Sequence, residues 1–224
     1  MKANAPNKPL TIVLIGDPAA GKATQAAFLA KQYHLYDFDM GKEINVRRAK
    51  DKKFDALLKK NTDKGRLTPA NEVKQILKQV ISGAPKSKGI LFDGHPKMLT
   101  ETKFALQELK RAGRANPIVI YLSIPLSETV KRMRDRNGYF AGKFGKRADD
   151  SDAALKNRVR YYRINIAAVI KFWSAKYPYA KINGLGTVRQ VRGRVMKALE
   201  SLVIDNSKIK KQKSKLHPPV GGQK

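Results

Sequence analysis

The 224-residue sequence contains no cysteine. That absence excludes disulfides, thiolate metal sites and thiol nucleophiles together. Acids are scarce: 18 Asp and Glu stand against 47 Lys and Arg, a formal charge of +29. An acidic, solvating chain is thereby excluded, and the surplus raises the question of an anionic partner. Long apolar runs are missing too; the longest are broken by Pro or Ser, so no segment is expected to span a bilayer. The opening stretch, MKANAPNKPL, lacks the apolar core of a secretory leader. What is present in quantity is apolar residue, 42% of the chain, enough for an ordinary core and too much for a disordered basic tail. The expectation is a soluble, cytoplasmic protein of one compact domain.

The charge is not an effect of the ends. Lys2 and Lys8 contribute +2 within residues 1–9, and residues 205–224, with six Lys and Asp205, contribute +5. The remaining +22 belongs to the body.

LTIVLI (10–15) is a continuous β-branched run of the kind that sits in a covered parallel sheet. Further strands are expected at Tyr36–Phe38, 89–93, Pro117–Leu122 and Ala180–Ile182. Helices are expected after Lys22, through the polar stretch 41–61, and after Thr68-Pro69, where Thr would cap and Pro would occupy the first turn. Others follow from Leu99 to Gly113, Leu126 to Arg136 and Asp149 to Ser174. A last helix carries Val188, Val191, Val195, Leu199 and Leu202 on one face. NGYFAGKFGK (137–146) reads as a glycine-rich loop, and the basic segment 205–224 as disordered. Strands alternating with helices predict a doubly wound α/β fold.

Gly16-Asp-Pro-Ala-Ala-Gly-Lys22-Ala-Thr24 lies between an expected strand and an expected helix, the context a phosphate-binding loop requires. Its amides would line a concavity, the helix N-terminus would add positive potential, and Lys22 would reach β- and γ-phosphates.

Five ordered motifs carry a family resemblance over Leu10 to about Leu202. GDPAAGKATQ, with its Gly-Lys-x-Thr-Gln spacing, resembles GxPGxGKGTQ. Gly65-Arg-Leu-Thr-Pro-Ala-Asn-Glu-Val73 resembles Gly-x-Leu-Val-Pro-Asp-Glu-Val. Gly89-Ile-Leu-Phe-Asp-Gly-His-Pro-Lys97 resembles Gly-Phe-Leu-Leu-Asp-Gly-Phe-Pro-Arg. Arg132-Met-Arg-Asp-Arg136 resembles Arg-x-x-x-Arg, and Arg147-Ala-Asp-Asp150 followed by Arg158 resembles Arg-x-Asp-Asp with its later Arg. The chain thus resembles the adenylate kinase, or nucleoside monophosphate kinase, family. The resemblance implies a P-loop three-layer fold with a central parallel sheet of about five strands in domain 10–204. A small helical monophosphate-binding insert is expected at about 39–68 and a short lid at about 137–147.

The implied reaction moves the γ-phosphoryl of ATP to a nucleoside monophosphate, in the first instance AMP, with Mg²⁺. On the donor side the resemblance assigns Gly16, Ala19, Ala20, Gly21, Lys22, Ala23, Thr24, Arg132 and Arg136 to ATP. Thr24 and Asp93 would hold Mg²⁺, Asp93 through water, because Mg²⁺ keeps much of its hydration. Lys22, Asp93, Arg132, Arg147 and Arg158 would do the chemistry, the arginines closing on the transferring group as clamps of this kind do. The ten residues between Arg136 and Arg147 leave no room for a larger lid, and without Cys a zinc-bearing one is excluded. Tyr139 and Phe144 would either pack on the base or cover the interior of the loop.

The acceptor side departs from the family. Where the family reads Ser-Thr-Gly-Asp-x-x-Arg, this chain reads Asp39-Met40-Gly41-Lys42-Glu43-Ile44-Asn45. Asn45 replaces an arginine on the monophosphate, Met40 a Thr near the base and Lys42 an acid. Lys97 replaces a second arginine and gives up the two-pronged grip of a guanidinium. His95 replaces a Phe and reads as filler. Glu101 stands where the family has a glutamine that reads adenine. Ionised, it accepts hydrogen bonds and donates none, which suits the exocyclic amino group of adenine or cytosine. Gly94, Arg147 and Arg158 complete the expected acceptor set, and Lys42 or Arg48 would supply the positive charge for the phosphate that Asn45 cannot. Alternatives are a CMP/UMP-type kinase, or a nucleotide-dependent RNA- or ribosome-associated protein on the same fold. The remaining expectations are a monomer with some polyanion affinity and no membrane association.

Overall fold

The computed structural model of the chain describes residues 9–61, 68–135, 138–140, 143–145 and 152–216. In chain order the elements are β1 (Thr11–Gly16), α1 (Lys22–Gln32), β2 (Leu35–Asp39), α2 (Met40–Lys50), α3 (Lys52–Asn61), α4 (Ala70–Gly83), β3 (Gly89–Asp93) and α5 (Leu99–Arg111). They continue as β4 (Pro117–Ser123), α6 (Leu126–Arg134), β5 (Gly138–Phe140), β6 (Lys143–Gly145), α7 (Asp152–Lys176), β7 (Tyr179–Asn183) and α8 (Val188–Leu216).

Five strands form one parallel sheet in the order β2-β3-β1-β4-β7. The period-2 alternation of side chains sorts the apolar strand residues onto two faces. Ile12, Leu14, Leu91, Ile118, Ile120 and Leu122 meet α1 and α8 through Ala26, Leu29, Val191, Val195 and Leu199. Val13, Ile15, Ile90, Phe92, Val119 and Tyr121 meet α4, α5 and α7 through Leu77, Ile81, Leu109, Val169 and Trp173. This is the three-layer α/β architecture expected. From β1 the chain leaves toward β2 on one side, and from β3 it crosses to β4 on the other. The crevice at the carboxyl end of β1 is therefore the switch point where such sheets bind ligands.

Four local expectations are corrected. The polar stretch 41–61 is two helices, because Asp51 closes one and opens the other. Its amide donates to Arg47 O (2.9 Å), and its Oδ1 accepts from the amides of Lys53 (2.9 Å) and Phe54 (3.0 Å). Helix α4 is capped at Pro69, without a side-chain cap from Thr68. The expected loop 137–146 contains an antiparallel pair, β5 with β6, in which Tyr139 lies opposite Phe144. Finally, α8 runs to Leu216 where disorder was expected from residue 205. Lys, Gln and Leu favour helix, and the first strong breakers are Pro218 and Pro219. Residues 1–8 and 217–224 lie outside the described residues.

Candidate functional site

Strand β1 ends where the glycine-rich loop begins, and Gly16 is there because nothing larger fits. A Cβ at that position would collide with the backbone carbonyl of Leu122, whose oxygen also accepts the Asp17 amide (2.9 Å). The loop turns through two left-handed residues, Ala19 (φ 58°) and Gly21 (φ 88°), before α1 starts at Lys22. Ala19 adopts this conformation without the relief that glycine has.

Lys22 folds back over its own loop. Its Nζ donates to the carbonyl oxygens of Gly16 (2.9 Å) and Asp17 (2.8 Å). Its Cε lies 3.4 Å from where a Cβ on Gly94 would stand, so the lysine sits between the loop and the end of β3. Thr24, in the first turn of α1, is exposed.

Asp93 ends β3 next to Asp39, which ends β2, and the two are Cα partners in the parallel ladder. The Asp93 carboxyl is pushed up from 3.8 to about 6, first by burial and then by the charge of Asp39, while Lys22 pulls the other way. Asp39 also caps α2: its Oδ1 accepts from the amides of Gly41 (2.8 Å) and Lys42 (3.3 Å).

From the far side, α6 brings Arg132 to the loop. Its Nε donates to Glu128 Oε1 one turn earlier (2.6 Å), and its Nη1 reaches the Ala19 carbonyl oxygen (3.4 Å). Met133 of α6 packs with Val159 of α7, and Ala19 packs against them. Helix α7 therefore approaches the loop at Val159, next in the chain to Arg158, whose side chain lies outside the described residues. Arg136 and Arg147 lie outside the described residues.

Sequence reasoning passed over Asp17. Its carboxylate accepts from the Tyr121 hydroxyl (2.7 Å) and the Ile124 amide (2.8 Å), joining the loop to the turn between β4 and α6. An acid inside a phosphate-binding loop was the available signal, and its partners, more than one hundred residues away, were not visible.

The acceptor side is less assembled. Met40 is buried, Asn45 and Lys97 are exposed, and Gly94 takes a left-handed turn (φ 68°) after β3. Of the two cations nominated to replace the missing arginine, Arg48 holds Asp55 (2.7 Å) and Lys42 lies 4.0 Å from Asp37. Arg47 bridges to α4 through Glu72 (3.1 Å) and Gln75 (3.1 Å), with its guanidinium over Phe54.

Glu101 departs most from expectation. It is 2% exposed, and its Oε2 accepts from the amides of Lys97 (3.0 Å) and Met98 (3.1 Å) at the start of α5. The carboxylate expected to read a base is instead the closing residue of a capping box. Burial raises its pKa and the two amides oppose the rise. His95, 3.5 Å away, is also buried, and desolvation lowers its pKa to about 3, so it is neutral and shielded from any substrate. A groove of about 530 Å³ between α2 and α4, lined by Tyr36, Glu43, Val46, Arg47 and Gln79, contains none of the nominated residues.

The arrangement at the switch point can cradle a polyphosphate: loop amides, a helix N-terminus, Lys22 and Arg132 converge there, with Asp93 beside them. Comparison with known proteins agrees. Residues 14–177 match the family model described as adenylate kinase. The adenylate kinase of Flavobacterium johnsoniae is 31% identical over 195 residues, 86% of this chain and 100% of that protein. The adenylate kinases of Mycobacterium leprae (28% over 190 residues, 85% of this chain and 99% of the relative) and Parabacteroides distasonis (25% over 193 residues, 86% and 99%) align over similar spans.

Proposed function

The chain belongs to the adenylate kinase family, and we propose that it catalyses ATP + AMP → 2 ADP at the crevice beyond β1 and β3. An oxygen of the AMP phosphate attacks the γ-phosphorus while the bond to the β–γ bridging oxygen breaks, and ADP forms on both sides. Such a transfer needs positioning, charge neutralisation and exclusion of water more than covalent chemistry. Lys22 exchanges its contacts with the Gly16 and Asp17 carbonyls for phosphate oxygens when a triphosphate enters. Arg132, already over Ala19, meets the transferring group, with Arg136, Arg147 and Arg158 assigned beside it on the family resemblance. Lys97, exposed on the acceptor loop, is assigned to the monophosphate on the family resemblance.

The residues fit Mg²⁺. The Thr24 hydroxyl and Asp93 carboxylate are hard oxygen donors, and a cation beside Asp93 would relieve the burial and repulsion that oppose its ionisation. Among the described residues no group of three His, Cys, Asp or Glu could hold a metal. That suits an ion held mainly by nucleotide phosphates and water. Bound there, Mg²⁺ would supply charge neutralisation on the phosphates.

The single observation behind this reading is the placement of Lys22 between the glycine-rich loop and Asp93. A coupled assay with ATP, Mg²⁺ and AMP, CMP, UMP or GMP tests it: turnover highest with AMP, abolished in Lys22→Ala and Asp93→Ala, is expected. No turnover with any acceptor would overturn it. The case for CMP rested on Glu101 and on Met40 in place of the family's Thr, and the burial of Glu101 in the α5 cap withdraws the first of these.

Polyanion affinity is a further part of the proposal. From Lys171 through Lys197 the chain carries seven cations and no acid. Lys181 on the edge strand β7 and Arg189 on α8 are exposed. Binding to RNA that weakens steeply with salt is expected, and salt-insensitive or absent binding would remove it. A monomer in the cytoplasm completes the reading. No described helix is long and apolar enough to cross a membrane.

A further inference from the structure

The second residue of the glycine-rich loop is an acid that the transfer chemistry does not use, placed where incoming phosphates should disfavour negative charge. We propose that Asp17 is a positioning residue: it locks the phosphate loop to the β4–α6 turn, so that loop amides and Arg132 share one rigid frame. The inference rests on the reading of this crevice as the ATP site.

Every polar atom of Asp17 is engaged. Its amide donates to Leu122 O (2.9 Å), and its carbonyl accepts from the Ala20 amide (3.1 Å) and Lys22 Nζ (2.8 Å). Its Oδ1 accepts from Tyr121 Oη (2.7 Å) and its Oδ2 from the Ile124 amide (2.8 Å). Both carboxylate oxygens are thus turned to β4 and the turn after it. Two donors from there converge on the side chain, and a carboxylate is the group that accepts from both.

The frame is stiff at its far end. Tyr121 is 5% exposed in the sheet core, and burial followed by the neighbouring Asp17 raises its hydroxyl above the ordinary tyrosine range, so it remains a donor. Pro125, directly after Ile124, caps α6, on which Arg132 lies two turns on. One carboxylate therefore sets the distance between the loop that binds the donor phosphates and the helix that supplies an arginine to them. A shift of about 1 Å between such groups can cost on the order of 10²-fold in rate.

The chemistry of the pair supplies a discriminating variant. In Asp17→Asn, Oδ1 can accept from the Ile124 amide while Nδ2 donates to Tyr121 Oη, whose hydroxyl rotates to accept. Both links survive without the charge. In Asp17→Leu neither survives, and in Asp17→Asn combined with Tyr121→Phe the amide group loses the Tyr121 hydroxyl as its partner.

The test measures ATP affinity by calorimetry on the full chain, KM for ATP and AMP with kcat, and the melting temperature. Asp17→Leu is expected to weaken ATP binding at least tenfold and to lower kcat, with KM for AMP within twofold of the parent. Asp17→Asn should stay within threefold for ATP, and the double variant should fall back toward Asp17→Leu. Should Asp17→Leu not fold, Asp17→Asn with and without Tyr121→Phe carries the comparison. ATP affinity unchanged in Asp17→Leu, or in the double variant where Asp17→Leu does not fold, would overturn the proposal. So would a loss in Asp17→Asn equal to that in Asp17→Leu. Absence of turnover in the parent protein with ATP binding intact would count against the kinase reading alone.

Discussion

Asp39 and Asp93 stand opposite one another at the carboxyl ends of β2 and β3, as Cα partners in a parallel ladder. Their roles differ, since Asp39 caps α2 while Asp93 faces Lys22 and the phosphate loop. The same adjacency makes Asp39 the leading electrostatic cost to ionisation of Asp93.

That cost has a sign. Asp93 titrates near 6 in the fold against 3.8 ordinarily, so the folded state holds the proton more tightly. Its contribution to stability is present below pH 3.8 and is lost as pH rises to about 6. Asp93→Asn lacks the penalty and should be more stable above pH 6 by about 3 kcal/mol at most, from the 1.36 kcal/mol per pKa unit. Urea denaturation without metal or nucleotide from pH 4 to 8 checks this: the gap between parent and variant should open between pH 4 and 6 and then stay constant.

Asp39→Ser separates cap from charge. Serine still caps α2, so stability should change by less than about 1 kcal/mol from the cap itself. Removal of the neighbouring charge should bring the Asp93 titration down, readable as a lower midpoint in carboxyl-region NMR. An unmoved midpoint would remove Asp39 from the causes of the Asp93 shift.

Ala19 holds a left-handed backbone in the phosphate loop. Ala19→Gly is expected to stabilise the protein by about 0.5–1 kcal/mol, the cost of a Cβ in that region offset in part by unfolded-state entropy. Thermal denaturation would show a small rise in melting temperature, and a fall would mean that the packing of Ala19 against Met133 and Val159 outweighs the strain.

Glu101→Gln should be tolerated, because the amide oxygen of Gln still accepts from the Lys97 and Met98 amides. Glu101→Ala leaves those donors without their partner and is expected to cost about 1–3 kcal/mol in chemical denaturation. If Glu101→Gln instead changed the preferred acceptor base in the monophosphate panel, Glu101 would have a role in base recognition beyond the cap.

Much of this protein was legible before any coordinates. The β-branched runs of β1 and β4 marked those strands, because a strand covered on both faces is apolar at nearly every position, and Gly16 through Thr24 marked the site because few sequences turn from strand to helix that way. Readings failed where a residue's role depends on a neighbour. Asp51 looked like one more polar residue in a helix until its carboxylate closed on the amides of Lys53 and Phe54. Glu101 looked like a base reader because the family places a reader there, but its nearest donors were amides three and four residues back.

Residue order alone determined the layers, the loop and the family, since these rest on periodicity and on short motifs whose parts are adjacent. Tertiary structure decided what surrounds Asp93 and Asp17. The register of β2 against β3 set Asp39 beside Asp93, and the approach of β4 to the phosphate loop gave Asp17 its donors. A carboxylate has no role of its own until donors or charges arrive beside it, and here they arrive on strands far apart in the chain.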